Sequence, residues 1–203
     1  MSKLVVANWK ANISNFEVQT SQFQDLEICI AAPFPFIRDI PEGITKAAQD
    51  VSFYPPGSYT GEVTAEMLKE IGVKYCLVGH LERRKYFNEG RDIVLTKIRR
   101  LNENGIIPIL CARNEEEVVD HSGIIMYEPE TAISTPGNYH PEDPDAVAGI
   151  VNSWREKYKT KILYGGSVNS DNVLNYSQAD GFVIGQASLD PRNFYELLCQ
   201  IKT

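Results

Sequence analysis

A glutamate at the end of a short apolar run is the residue of this sequence best placed for acid–base chemistry. The run covers residues 124–127, and Glu128 and Pro129 follow it. A short apolar run without helical periodicity is typical of a buried strand, which the proline then ends. A carboxylate there, beside a loop able to cover it, is desolvated and can act as a general base. Taken alone, the stretch favours the simpler interpretation that Glu128 only marks the end of a strand.

Other side chains that can do chemistry also follow apolar runs. Asn8 and Lys10 follow one such run, and His80 follows another. An ammonium stabilises developing negative charge, and an imidazole exchanges protons near neutral pH. Each has a simpler alternative, because most lysines are solvated and a buried histidine can be a hydrogen-bonded core residue.

Two glycine-bearing turns complete the set of candidate groups. They are Gly165-Gly166-Ser167 and Gly185-Gln186. Glycine-rich turns just before helix N-termini bind phosphate through free N–H groups and the helix dipole. A plain strand-to-helix turn is the alternative for each. A cation, an imidazole, a carboxylate and two such turns all follow apolar runs in this sequence. The simpler alternatives explain each group alone better than they explain the whole set.

Eight short apolar runs must position these groups. They are continuous rather than alternating, which is typical of strands buried on both faces. Helical patterns with cap and glycine signals lie between many of them. The predicted strands are residues 4–10, 28–33, 46–50, 75–80, 106–111, 124–128, 161–166 and 181–185. The predicted helices are residues 64–72, 92–104, 143–158 and 191–202, and another opens at 170–174.

This alternation predicts a (β/α)8 barrel in a single domain over residues 1–203. The connections are short for a fold that usually takes about 250 residues, so shortened outer helices are expected. An open doubly wound sheet is the alternative, but residues 8–10 do not resemble its glycine-rich fingerprint. In a barrel, the candidate groups share the rim at the carboxyl ends of the strands, where chemistry and phosphate binding take place.

Composition and charge exclude several classes of function. The chain has 203 residues, 43% of them hydrophobic, and a net charge of −7. No apolar run approaches the roughly 18 residues of a membrane span, and the acidic balance argues against nucleic acid. Four unpaired cysteines and the lack of a signal-peptide pattern predict free thiols and a cytoplasmic protein. His121 and His140 have no carboxylates at metal-ligand spacing, so these histidines do not predict a metal site.

The sequence resembles triosephosphate isomerases along its whole length. The motifs occur in family order at residues 8–10, 57–62, 78–84, 127–129, 164–168 and 181–185. The resemblance implies interconversion of dihydroxyacetone phosphate and D-glyceraldehyde 3-phosphate through an enediol(ate), in glycolysis and gluconeogenesis, without a cofactor or metal.

The resemblance also implies a role for each candidate group. Glu128 would move the proton between two carbons, and neutral His80 would polarise the carbonyl, in a family that is itself the standard example of this pairing. Lys10 would attract the anionic substrate and Asn8 would position its neighbours. The expected phosphate-binding residues are Ser134, Gly166, Ser167, Gly185 and Gln186. Ile133 and Val183 would enclose Glu128 and raise its basicity.

A subunit interface is implied as well. The loop with Tyr59, Thr60 and Glu62 would enter a partner subunit, where Glu82 would help to hold Thr60. Arg83 and Glu89 would support this interface. The expected assembly is a homo-oligomer, with a dimer favoured and a tetramer as the alternative.

Several departures from the family pattern bear on the mechanism. Leu81 replaces a serine and is expected to leave Glu128 without its resting partner. Pro136 replaces a lid glycine whose N–H latches to the serine aligned with Ser167, so closure is expected to be held differently, with Tyr164 as an alternative latch near Tyr139. Gln186 replaces a glycine and would resist a positive φ.

The chain is also short, and the segment between residues 111 and 124 lacks most of a helix. In this truncation and in its lid dipeptide Pro129-Glu130, the sequence resembles the compact archaeal-type branch. A non-catalytic or weakly active homologue that binds a phosphorylated metabolite remains an alternative function. Another phosphosugar isomerase on the same fold is a second alternative.

Overall fold

The predicted strands close into a parallel barrel in chain order. The computed structural model describes residues 2–15, 20–119, 123–132 and 140–202. Each strand pairs with its neighbours in sequence, and β8 pairs with β1 to close the barrel. The strands are β1 (Lys3–Asn8), β2 (Leu26–Ala31), β3 (Thr45–Ala48), β4 (Val73–Val78), β5 (Ile107–Ala112), β6 (Ile124–Tyr127), β7 (Ile162–Tyr164) and β8 (Gly181–Ile184). The architecture is therefore the predicted (β/α)8, or TIM, barrel.

Two buried layers explain why the strands are continuously apolar. In β1, Leu4 and Val6 pack inside the barrel, whereas Val5 and Ala7 pack in a second cluster between the sheet and the outer elements. All four side chains are fully buried. A strand with both faces buried has no polar face, so its sequence does not alternate.

Five α-helices form part of the outer ring, and side-chain caps begin four of them, of which three come from threonine or aspartate. Thr64 accepts a hydrogen bond from Met67 N–H, Asp143 from Ala146 N–H, and Asp190 from Arg192 N–H and Asn193 N–H. Such caps satisfy backbone donors that the first helical turn leaves free. The helices are α1 (Ala65–Glu70), α2 (Leu81–Phe87), α3 (Arg91–Glu103), α4 (Pro144–Tyr158) and α5 (Pro191–Ile201).

The rest of the outer ring is shortened, as predicted. Among the described residues, only 3-10 turns connect β1 to β2 (Thr20–Gln22), β2 to β3 (Phe34–Asp39), β5 to β6 (Glu115–Glu117) and β7 to β8 (Val173–Tyr176). No helix in the described parts of the chain combines the length and the apolar character that crossing a membrane requires.

Two predicted elements differ from the structure. Residues 170–174 do not open an α-helix, because the Asn169 side chain accepts the N–H groups of Asp171 and Asn172 and fixes a turn instead. The predicted third strand, residues 46–50, ends at Ala48 in the structure. The next two residues turn away from the sheet to bond to other elements.

Candidate active site

The carboxyl-terminal rim of the barrel holds one cleft that brings together most of the predicted site residues. Strand ends place them there: β1, β4, β6, β7 and β8 each deliver at least one. The predicted residues that line the cleft are Asn8, Lys10, His80, Glu128, Gly166, Val183, Gly185 and Gln186. Predicted residues Ile133 and Ser134 lie outside the described residues.

Glu128 and His80 form a buried pair in this cleft. Glu128 Oε1 lies 3.0 Å from His80 Nε2, and the two residues are only 5% and 6% exposed. Glu128 directly follows β6, where its N–H donates to the Ala112 carbonyl. The strand end therefore fixes the backbone of the acid, while the imidazole fixes its carboxylate.

Glu128 also has a partner that the sequence analysis did not foresee. The backbone N–H of Leu81 donates to Glu128 Oε2 at 3.3 Å. The expectation that Leu81 leaves the carboxylate without a resting partner is therefore wrong. A backbone donor at the first residue of α2 serves where a serine side chain is missing, because N–H groups in the first helical turn have no partner within the helix.

His80 is oriented by the helix that it begins. Gly79 turns the chain with φ 69°, and His80 Nδ1 then accepts the Glu82 N–H at 3.3 Å as the cap of α2. That bond requires a lone pair on Nδ1, so it fits a neutral imidazole whose proton sits on Nε2. The proton faces Glu128.

Electrostatics acts on His80 in two opposing directions. Burial disfavours the imidazolium, whereas the carboxylates of Glu128 and Glu82 favour it, and the pKa of His80 is raised above its ordinary value. A second proton on the ring would have to replace the bond from the Glu82 N–H. The bond from the Glu82 N–H therefore favours the neutral ring, against the effect of the two carboxylates.

Lys10 supplies the cation of the cleft. Its Nζ lies 2.6 Å from Glu82 Oε1, and its side chain is 31% exposed. A Cβ at Gly185 would lie 3.5 Å from Lys10 Cε, so the turn after β8 lies directly against the lysine stem. A positive charge thus stands beside the turn that is predicted to hold phosphate.

The two glycine turns also line the cleft. A Cβ at Gly166 would lie 2.2 Å from the Tyr164 hydroxyl oxygen, so only glycine fits above that fully buried ring. Gln186, in contrast, does not have a positive φ. The expected conflict between glutamine and a left-handed backbone at this position is therefore absent, and the Gln186 N–H is presented without strain.

Comparison with known proteins agrees with this geometry. The family profile described as triosephosphate isomerase matches residues 3–201. The chain belongs to the triosephosphate isomerase family. It is 35% identical to a triosephosphate isomerase of Thermus thermophilus, with 96% of this chain and 97% of that protein aligned. It is 33% identical to one from Mesomycoplasma hyorhinis (98% of each chain) and 32% identical to one from a Synechococcus strain (94% and 91%).

Ser167, the predicted latch residue of this family member, contacts both flanks of the lid, residues 129–139. Its hydroxyl donates to the Ala132 carbonyl at 2.8 Å and accepts the His140 N–H at 3.3 Å. The expected alternative latch, Tyr164, is buried, and its hydroxyl has no hydrogen-bond partner among the described residues. Pro136 and Tyr139 lie outside that part of the chain, so their part in closure stays a prediction.

The predicted interface residues lie in the loop after β3, in α2 and directly beyond α2. Tyr59 stacks on Tyr54 with ring centroids 4.1 Å apart, and Thr60 and Glu62 are exposed. Glu82 bonds to Lys10 within the chain. Arg83 Nε lies 2.5 Å from the Oε1 atom of Glu89, which is buried. Their expected role between subunits stays a prediction.

The sequence analysis missed two contributors to the site. One is the Leu81 N–H, which could not be identified as a free donor because helix α2 was not predicted. The other is the pairing of Glu82 with Lys10. The described residues contain no group of three His, Cys, Asp or Glu side chains that could hold a metal ion.

Proposed function

We propose that this protein acts as a triosephosphate isomerase, interconverting dihydroxyacetone phosphate and D-glyceraldehyde 3-phosphate through an enediolate. The observation that carries the proposal is the buried Glu128–His80 pair, 3.0 Å apart, in a cleft that also presents Lys10 and two glycine turns. Proton transfer between adjacent carbons needs a base and an acid on the same substrate. The pair supplies both.

Glu128 is the base of the proposed reaction. Substrate entering the cleft displaces the carboxylate from His80, and the freed carboxylate removes a proton from one carbon and returns it to the other. Burial strips water from the carboxylate, and the lid flanked by Ala132 and His140 keeps water out. The enediolate is thereby protected until it is reprotonated.

His80 and Lys10 stabilise the oxygen side of the enediolate. Nε2–H of a neutral imidazole donates to the developing oxyanion and can exchange a proton with it. Lys10 provides positive charge within the same cleft. Asn8 Oδ1 accepts the Lys10 N–H at 3.1 Å, which is consistent with its proposed positioning role.

The phosphate is proposed to bind at the N–H groups of Ser167, Gly185 and Gln186, with Gly166 and Lys10 adjacent and Ser134 completing the set from the lid. Support comes from the residues of both turns that line the cleft. Val183 lines the same cleft, and with Ile133 it is proposed to enclose Glu128. The unstrained backbone at Gln186 removes one argument for a non-catalytic homologue.

The test is a coupled steady-state assay on D-glyceraldehyde 3-phosphate for the parent, Glu128→Gln and the control Glu156→Gln. Glu156 is an exposed residue of α4. Loss of the base is expected to lower kcat on the order of 10³-fold or more, while the control keeps parent activity. An inactive parent that still binds a phosphorylated enediolate analogue would contradict catalysis and favour a binding protein.

We also infer a homodimer that works in the cytoplasm. Tyr54, Tyr59 and Phe87 leave aromatic surface exposed around the rim, and such patches mark contact surfaces. All four cysteines are free thiols, which suits a reducing compartment. Sedimentation should give twice the mass of one chain. Four times that mass would instead indicate the tetramer. A stable monomer with full activity would contradict the inference.

A further inference from the structure

Lys10 has a backbone conformation that most residues avoid. Its φ is 50°, in the left-handed region. Two other described non-glycine residues, Asn88 and Lys159, share a positive φ, and both are C-terminal caps of helices, where this conformation is usual. Lys10 follows a strand instead, so something other than a helix end must hold it. Such conformations persist where the surroundings over-determine them.

Side chains bond both backbone polar groups of this lysine. Asn8 Oδ1 accepts the Lys10 N–H at 3.1 Å. Gln49 Nε2 donates to the Lys10 carbonyl at 2.8 Å and to the Ala31 carbonyl at 2.7 Å. Two carbonyl acceptors require the amide nitrogen of Gln49 to face them, because its oxygen could only repel them. The glutamine thus ties Lys10, two residues after β1, to Ala31, the last residue of β2.

Gln49 is itself firmly anchored. It directly follows β3, and the next residue, Asp50, is buried. Asp50 Oδ1 lies 2.6 Å from Lys97 Nζ, and Asp50 Oδ2 lies 2.9 Å from Arg83 Nε. These ion pairs fix the residue next to Gln49 in the chain, and so they help to hold the Gln49 amide beside Lys10.

We propose that Gln49 is a positioning residue for Lys10: its amide holds the left-handed backbone that aims the ammonium into the cleft. The dihedral φ of Lys10 sets the direction of its Cα–Cβ bond, and therefore where Nζ can reach. Glu82 also holds Nζ, but an ion pair to a partly exposed carboxylate can form from several backbone conformations. This inference rests on the proposed function, because Lys10 must act on the substrate for its aim to matter.

Loss of the Gln49 amide is therefore expected to slow catalysis by displacing Lys10. Gln49→Met keeps the length and most of the volume but has no donor for the two carbonyls. With that bond lost, the backbone relaxes and Nζ shifts, and a shift of about 1 Å can cost on the order of a hundredfold in rate. We expect kcat/KM to fall on the order of ten- to a hundredfold, with a higher KM for the anionic substrate.

The deciding experiment is a double-mutant cycle of Gln49→Met with Lys10→Met. If Gln49 acts through Lys10, then adding Gln49→Met to Lys10→Met changes kcat/KM less than twofold, because the group that it aims is already gone. Gln24→Met, at an exposed glutamine, is the matched control and should leave KM and kcat unchanged. Thermal unfolding of every variant shows whether a change in kcat/KM comes from lost stability or from a displaced Lys10 ammonium.

Gln49→Ala serves as a second variant if Gln49→Met does not fold, since a water molecule can occupy the vacated space. Full additivity with Lys10→Met would overturn the inference, as would a lower Tm with parent KM and kcat. An inactive parent would instead overturn the proposed function, so the two failures are distinguishable.

Discussion

The three reactive side chains of the cleft differ from ordinary surface residues in how completely their neighbours fix them. Glu128 bonds to His80 Nε2 and to the Leu81 N–H. Lys10 is held at its backbone by Asn8 and Gln49. Because the surroundings fix each group before substrate arrives, little reorganisation is needed at the moment of reaction.

The pKa of His80 should fall when its carboxylate partner is removed. In the parent, Glu128 and Glu82 outweigh burial and raise this pKa above its ordinary value. In Glu128→Gln, burial keeps its full effect and the charge of Glu128 is gone, so the imidazolium becomes less stable. NMR titration of the histidine rings should show a lower pKa in the variant. An unchanged value would contradict the pairing of Glu128 with His80.

The position of the candidate catalytic residues at strand ends could be predicted from the sequence, but some of their partners could not. Glu128, His80 and Lys10 each follow an apolar run, and that position signals a strand end. The Leu81 N–H carries no such signal, because a backbone donor looks the same at every residue. Gln49 was placed inside the third strand, where its side chain would have had no function.

The turn after β7 depends on the absence of a side chain at Gly166. The hydroxyl oxygen and ring of Tyr164 occupy the space that a Cβ at Gly166 would need. Tyr164 is fully buried and packs against Tyr176, with the two ring centroids 4.5 Å apart. The tyrosine cannot move aside without disturbing this packing. This turn therefore accepts only glycine for a steric reason and not for a positive φ.

Gly166→Ala should consequently both destabilise the barrel and damage the site. Overpacking of this kind costs about 1–3 kcal/mol, and the displaced turn should also raise KM. Gly149→Ala is the control, since no atom lies within 4 Å of its added Cβ and it lies within α4. There, alanine should stabilise by up to about 1 kcal/mol. Chemical denaturation measures the stability of both variants. Equal changes in the free energy of unfolding for Gly166→Ala and Gly149→Ala would contradict the steric explanation.

At the element level, the sequence predicted the strands better than the connections. Seven strands follow from apolar runs that are buried on both faces, whereas the third, predicted at residues 46–50, is only weakly apolar and follows partly from its spacing. The segment at residues 170–174 was predicted as helix from a serine cap, but Asn169 forms local hydrogen bonds that compete with a helix. Helix α2 was missed because its cap is His80, which is not one of the usual capping residue types.

At the scale of the whole molecule, a buried ion cluster joins the sheet to the outer ring. Lys97 of α3 bonds to Asp50 after β3 and to Glu89, and Arg83 of α2 bonds to the same two acids. The cluster is balanced, with two positive and two negative groups. The cluster therefore ties α2 and α3 to the residues that follow β3.

Lys97→Met should destabilise the fold by about 3–5 kcal/mol, because two buried carboxylates lose a partner. Burial raises the pKa of Asp50 and Lys97 opposes that rise, so the variant should raise it further. A raised folded-state pKa favours folding at low pH and costs stability as pH increases. The deficit should therefore shrink as pH is lowered from neutrality.

Exposed Lys69→Met is the control for Lys97→Met and should change stability by less than about 0.5 kcal/mol. Denaturant unfolding of both variants across pH measures the free energy of unfolding that this prediction concerns. A deficit in Lys97→Met that is constant over pH would show that Asp50 does not carry the effect.

The most direct test of the central claim, proton transfer by Glu128, is isomerisation in D2O followed by NMR. A carboxylate that takes a proton from one carbon can exchange it with solvent before returning it to the other carbon. We expect deuterium on carbon in part of the product formed by the parent, and neither product nor deuterium above background with Glu128→Gln. Efficient isomerisation by the parent without any solvent deuterium on carbon would contradict it, as would full activity of the variant.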